Sequence, residues 1–82
     1  VKIIEVDRDK KTTFTGYFSK PTLDILAASE TASGTIPQGE ILWTNCHLGG
    51  DPEIVSDPEI KFGAMLQLHR IFQVKKARIK NV

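Results

Sequence analysis

Asp51-Pro52-Glu53-Ile54-Val55-Ser56-Asp57-Pro58-Glu59-Ile60 holds one tetrad, Asp-Pro-Glu-Ile, twice, the second copy six residues after the first. Aspartate can accept hydrogen bonds from the free amides of a helix start, and proline fits the first helical position. Glutamate then meets the positive end of the helix dipole. The copies stand too close for two long helices. The first therefore predicts a single turn, and the second launches the longest helix, Pro58 to about Lys80. Its apolar positions Ile60, Ala64, Leu68, Ile71, Phe72 and Ile79, with Met65 beside them, follow a 3.6-residue period and face a core. Lys75, Lys76, Arg78 and Lys80 crowd its last turns, where cations oppose the negative dipole end.

Working back from the tetrads, Gly49-Gly50 reads as the stop of a short helix over Glu40–Cys46, with Ile41, Leu42 and Cys46 at buried spacing. Thr35 to Gly39 reads as a loop punctuated by Pro37 and Gly39. Before it, Pro21 and the capping residue Thr22 start a helix with Asp24 in its first turn. Leu23, Leu26 and Ala27 make its stripe, and Ser33-Gly34 its end. Residues 1–18 read as a β-hairpin. Ile4 and Val6 share one face by the period of two, with Ile3 on the other. Asp7-Arg8-Asp9-Lys10 is the turn, and Thr12 to Phe18 returns. Phe14 and Phe18 share a face with Gly16 between them, while Thr13, Thr15 and Tyr17 take the wetter one. A lone hairpin is marginal in water, so that phenylalanine face needs helices to cover it.

The expected fold is α+β: an N-terminal two-stranded antiparallel hairpin packed on about three helices, the longest C-terminal. The 82 residues suit one small domain, 1–82, with the hairpin over 1–18 and the helical part over 22–80. A chain this short has a thin core, which excludes a large buried enzyme cleft. Eleven basic and ten acidic side chains leave a net charge of +1, which gives no global argument for nucleic acid or an anionic membrane. The single cysteine cannot form an internal disulfide. No apolar run approaches the ~20 residues of a membrane span, and the first residues carry no signal-peptide pattern.

Cys46-His47 is the one place where two reactive side chains adjoin, and His69 is the other histidine. Zinc wants about four ligands at paired spacings, and helix neighbours point roughly 100° apart, so neither a metal site nor a Cys–His nucleophile pair is expected. Gly49-Gly50-Asp51 lacks the lysine of a phosphate loop, and Asp51, Glu53, Asp57 and Glu59 repel phosphate. Pro52 and Pro58 break any calcium-loop pattern. No catalytic, cofactor-binding or metal-binding residues are assigned. The basic stretch Arg70 to Lys80 offers phosphate contacts, but without aromatic interleaving it reads as a solvated helix end. Trp43 suits an interface anchor and a core position equally.

Phe18-Ser19-Lys20-Pro21-Thr22, an alanine-containing helix, and Ile41-Leu42-Trp43-Thr44-Asn45-Cys46-His47-Leu48-Gly49-Gly50-Asp51-Pro52-Glu53-Ile54 together resemble small tail assembly chaperones of phages and prophages. In those proteins a Lys-Pro-Thr helix start precedes a short helix ending in an Asn/Ser-Cys element. An acidic or Asp-Pro turn and a long C-terminal helix follow. The resemblance covers roughly residues 14 to 80. It implies a non-enzymatic protein that keeps a long, apolar, helical tape-measure protein soluble during tail assembly, in the cytoplasm of a bacterial host. No cofactor, nucleic acid or membrane is implied. Candidate contacts with the protein partner are Trp43, Leu48, Met65 and Phe72, and the exposed strand edge leaves room for a homo-oligomer. The rival readings are a small virion structural or connector protein and a nucleic-acid-binding regulator using the basic helix end.

Overall fold

Strand β1 (Lys2–Asp7) pairs antiparallel with β2 (Thr13–Phe18), setting Ile4 opposite Gly16 and Val6 opposite Phe14. The computed structural model describes residues 1–9 and 11–72. The alternation works as the sequence implies: Ile4 and Phe18 are buried, while Ile3 and Tyr17 pair across the outer face and stay exposed. The Asp9 carboxylate accepts from the amides of Lys11 and Thr12 at 2.8 and 2.9 Å and shapes the hairpin turn. Those amide bonds hold its carboxyl below the ordinary range. Gly16 is small for a reason, since a Cβ there would lie 2.8 Å from the Phe18 ring and 3.3 Å from Ile54.

Helix α1 (Leu23–Thr31) starts at Thr22, whose hydroxyl accepts from the Ile25 amide. Its inward side differs from the expected stripe. Leu23 is 81% exposed and Ala27 is exposed, whereas Ile25 and Leu26 pack against the core and Ser29 is buried. The helix closes at Thr31, before Ser33-Gly34, with Ala32 as its cap.

Helix α2 (Thr35–Cys46) begins five residues before the expected start at Glu40, and the predicted loop over 35–39 is its opening turn. Proline is harmless there, because the first-turn amides have no helical acceptor. Gly34, at φ 97°, supplies the left-handed residue that turns the chain into the helix. Gly39 reflects packing: a Cβ on it would stand 2.6 Å from the Met65 carbonyl oxygen.

A third strand was not expected. His47–Gly50 forms β3, which pairs antiparallel with β2 and gives the order β1-β2-β3, so Gly49-Gly50 extends a sheet. The register shifts by one between Tyr17 and Phe18. Gly50, at φ 122°, brings its backbone so close to Thr15 that any Cβ would collide with the Thr15 carbonyl.

The two tetrads take different roles. Asp51 does not cap α3 (Glu53–Ser56), whose N-cap is Pro52; it bonds to β2. Asp57 does cap α4 (Pro58–Ile71), accepting from the Glu59 amide at 3.0 Å with Pro58 next in line. Ile60, Ala64, Met65 and Leu68 of α4 are buried as the period requires, and Phe72 is half-buried, but Ile71 is 45% exposed. The expected continuation to Lys80, with Ile79, lies outside the described residues. The fold is α+β: among the described residues, a three-stranded antiparallel sheet stands against four helices, the longest being the last. Leu42 and Cys46 of α2, Ile54 of α3, the buried stripe of α4, and Ile4 and Phe18 of the hairpin close the core.

Candidate functional site

The residues singled out for chemistry are kept apart. Cys46 is fully buried, and desolvation raises its thiol above the ordinary range, against a smaller opposing contribution from Ser19. His47 turns away from it and stacks on Trp43, with ring centroids 4.7 Å apart and planes 6° from parallel. Phe18 meets both rings edge-on, and the Lys61 ammonium lies 4.5 Å from the Trp43 centroid. Trp43 thus contacts both a cation and an imidazole, and Trp43 Nε1 and His47 Nε2 are buried without a hydrogen-bond partner. His69 bonds through Nε2 to Gln38 Oε1 at 2.7 Å, and the Gln38 amide donates to the Ala32 carbonyl at 3.1 Å. Residues 38 and 46 are separated by about 12 Å of helix. Among the described residues no group of three or more His, Cys, Asp or Glu side chains is placed to hold a metal ion.

The four candidate contacts fall in three environments. Trp43 and Met65 are buried, at 8% and 6% exposure, and only opening of the core would offer them to a partner. Phe72 is half-buried against the core, and Leu48 on β3 is 58% exposed. On the outward side of α2, Pro37, Glu40, Ile41, Thr44 and Asn45 line an open recess of about 360 Å³.

Helix α4 carries a second apolar surface that the sequence reading passed over. Phe62 and Leu66 are 41% and 38% exposed and stand one helical turn apart. At about 100° per residue they point nearly opposite to Ile60, Ala64 and Leu68, which face the core. Exposed Glu59 and Arg70 lie along one flank of this pair, with Glu59 in the first turn and Arg70 in the last. Gly63, further round that side, lets the helix lie against Val6 of β1, where a Cβ would come within 2.9 Å of the valine methyl. Phe62 and Leu66 were legible in principle, as the large apolar residues of α4 that do not fit its buried stripe.

Among the described residues no helix is long and apolar enough to cross a membrane. Comparison of the chain with protein-family models, curated proteins and solved structures returns no match.

Proposed function

We propose that this chain is a non-enzymatic binding module for a helical segment of another protein. The observation that carries this reading is the Phe62–Leu66 pair, an apolar stripe on the solvent side of a helix whose other side already fills the core. A helix needs one apolar face to fold onto its domain, and a second is available for a partner helix, read at i and i+4. The naming of the partner rests on the resemblance alone: a tape-measure-like protein, held soluble during phage or prophage tail assembly.

Magnitude bounds the contact. Covering what remains exposed of Phe62 and Leu66 supplies roughly 1–2 kcal/mol in all, against about 8 kcal/mol for micromolar binding. A helical client must therefore cover more than this pair, and Leu48 is a further exposed apolar side chain for it to reach. The test is co-expression with the tape-measure-like protein encoded nearby, followed by pull-down and a solubility comparison. A soluble complex that Leu66→Asp abolishes, with this chain missing from finished particles, supports the chaperone reading. A chain that forms no complex, or that stays in purified particles, defeats it; retention would favour the connector role.

A further inference from the structure

The same stripe has a pattern of charge that fits a second copy of itself. The inference rests on reading Phe62–Leu66 as a binding surface, and it names what occupies that surface when no client is present. We infer that two copies associate through α4 in antiparallel fashion, about a two-fold axis on the Phe62–Leu66 side of the helix at the level of residue 64, and that a client helix has to displace this contact.

Symmetry sets the pairing. In a two-fold interface residue i meets j, and j meets i. With the axis at residue 64, Phe62 of one copy faces Leu66 of the other, twice over. The same alignment brings Glu59 within about one residue, ~1.5 Å of rise, of the level of Arg70 in the other copy. Helical side chains lean towards their own N-terminus. The long Arg70 side chain of one copy accordingly leans along the other copy's helix towards Glu59.

The flanks agree as well as the levels. In an antiparallel two-fold pair, like flanks meet. Glu59 and Arg70 lie about 60° and 80° round from Phe62 at ~100° per residue, on the same side. Each copy therefore contributes one acid and one base to the same edge of the seam, giving Glu59–Arg70 twice. A parallel two-fold pair brings unlike flanks together, so it would leave the Glu59 and Arg70 of the two copies on opposite edges of the seam, unpaired. Charge selects the antiparallel form, as flanking charges do in coiled coils. Two apolar side chains and one ion pair from each copy make a small interface, so the association is weak and concentration-dependent.

Sedimentation velocity on the purified 82-residue chain, from ~10 µM to ~1 mM, reads the monomer–dimer equilibrium directly. Glu59→Arg alone and Arg70→Glu alone should each weaken association by roughly tenfold or more, because each sets like charges together twice. Mixing the two variants should restore it, since every contact in the mixed pair is again between opposite charges. Leu66→Asp, at a position already exposed, should leave a folded monomer. A wild-type chain that stays monomeric across the range overturns the inference, as does a dimer that ignores Leu66→Asp or fails to recover on mixing. No client is needed for these readings. Failure to capture a tape-measure protein would leave the dimer standing, while a monomer that still captures one would remove the dimer alone.

Discussion

Asp51 and Thr15 exchange two hydrogen bonds: the Asp51 amide donates to the Thr15 carbonyl at 2.8 Å, and the Thr15 amide donates to the Asp51 carboxylate at 2.8 Å. The side chain of Asp51 thus stands in for the next residue of the ladder and continues β3 past its last glycine. Asp51→Ala removes the acceptor and leaves the Thr15 amide unpaired at a partly buried position. A loss of ~1–3 kcal/mol is expected. Asp51→Asn keeps an acceptor oxygen and should lose less. Urea unfolding of both variants checks the order.

Contact between α2 and α4 depends on Gly39. An added methyl meets the Met65 carbonyl oxygen at 2.6 Å, and backbone atoms cannot rotate away as a side chain can. Gly39→Ala should therefore destabilise by ~1–3 kcal/mol although alanine is the better helix former. A thermal midpoint equal to or above wild type would show that the helices separate at little cost.

Arg8 of the hairpin turn forms an ion pair with Asp57, the residue that caps α4, and its guanidinium also lies 5.0 Å from the Phe14 ring centroid. Burial pushes the Asp57 carboxyl up, but hydrogen bonds from the Glu59 and Ile60 amides and from Arg8 outweigh it and hold the carboxyl below the ordinary range. A lowered carboxyl stabilises the fold fully above the unfolded value of about 3.9. That contribution is lost as pH falls through the lower folded value. Arg8→Gln should raise the Asp57 titration midpoint towards ~3.9, read by carboxyl carbon NMR. It should also move acid unfolding to higher pH.

Trp43 is the single tryptophan, so its emission reports the stack with His47 and Lys61. His47→Phe keeps an aromatic ring against Trp43 and removes the unpaired Nε2. It should match or exceed wild-type stability, whereas His47→Ala should lose ~1–2 kcal/mol of packing and stacking. Lys61→Met removes the cation over the Trp43 ring, for about 0.5–1 kcal/mol. Thermal melts followed by Trp43 emission rank all three.

Cys46 is fully buried with a raised thiol pKa, so its reactivity is set by opening of the core. Labelling by a thiol reagent at neutral pH should run orders of magnitude slower than in denaturant and should accelerate in the Gly39→Ala variant. Rapid labelling of the native chain would place the thiol at the surface.

The elements legible in the sequence are those whose burial is written as a period. Ile4, Val6, Phe14 and Phe18 alternate because one face of the hairpin is covered, and Asp57-Pro58-Glu59 marks the start of α4 because free amides need a cap. What stayed hidden depends on contacts distant in sequence. His47-Leu48-Gly49-Gly50 has no β-branched residue, and it becomes a strand only because β2 and Asp51 provide partners. Pro37 and Gly39 look like breakers until Pro37 falls in a first turn and Gly39 meets Met65. At the candidate site, residue type pointed to Trp43 and Met65, and three-dimensional packing placed both inside. Exposure moved attention to Phe62 and Leu66, which sequence alone leaves as two apolar residues out of step with a stripe.

The central strand β2 has one neighbour close along the chain and one far away. β1 reaches it through a tight turn, whereas β3 arrives only after residues 19–46, all of α1 and α2. The β1–β2 hairpin can form locally within microseconds, but the second ladder must wait until the helical excursion has brought its two ends together. The second ladder therefore closes a loop of about thirty residues that the first does not, and the helix pair is a closing device as well as a cover. Lengthening the link at Ser33-Gly34 should leave the β1–β2 ladder's loop unchanged and raise the closure cost of the β2–β3 ladder, by only about 0.6 kcal/mol per doubling of loop length.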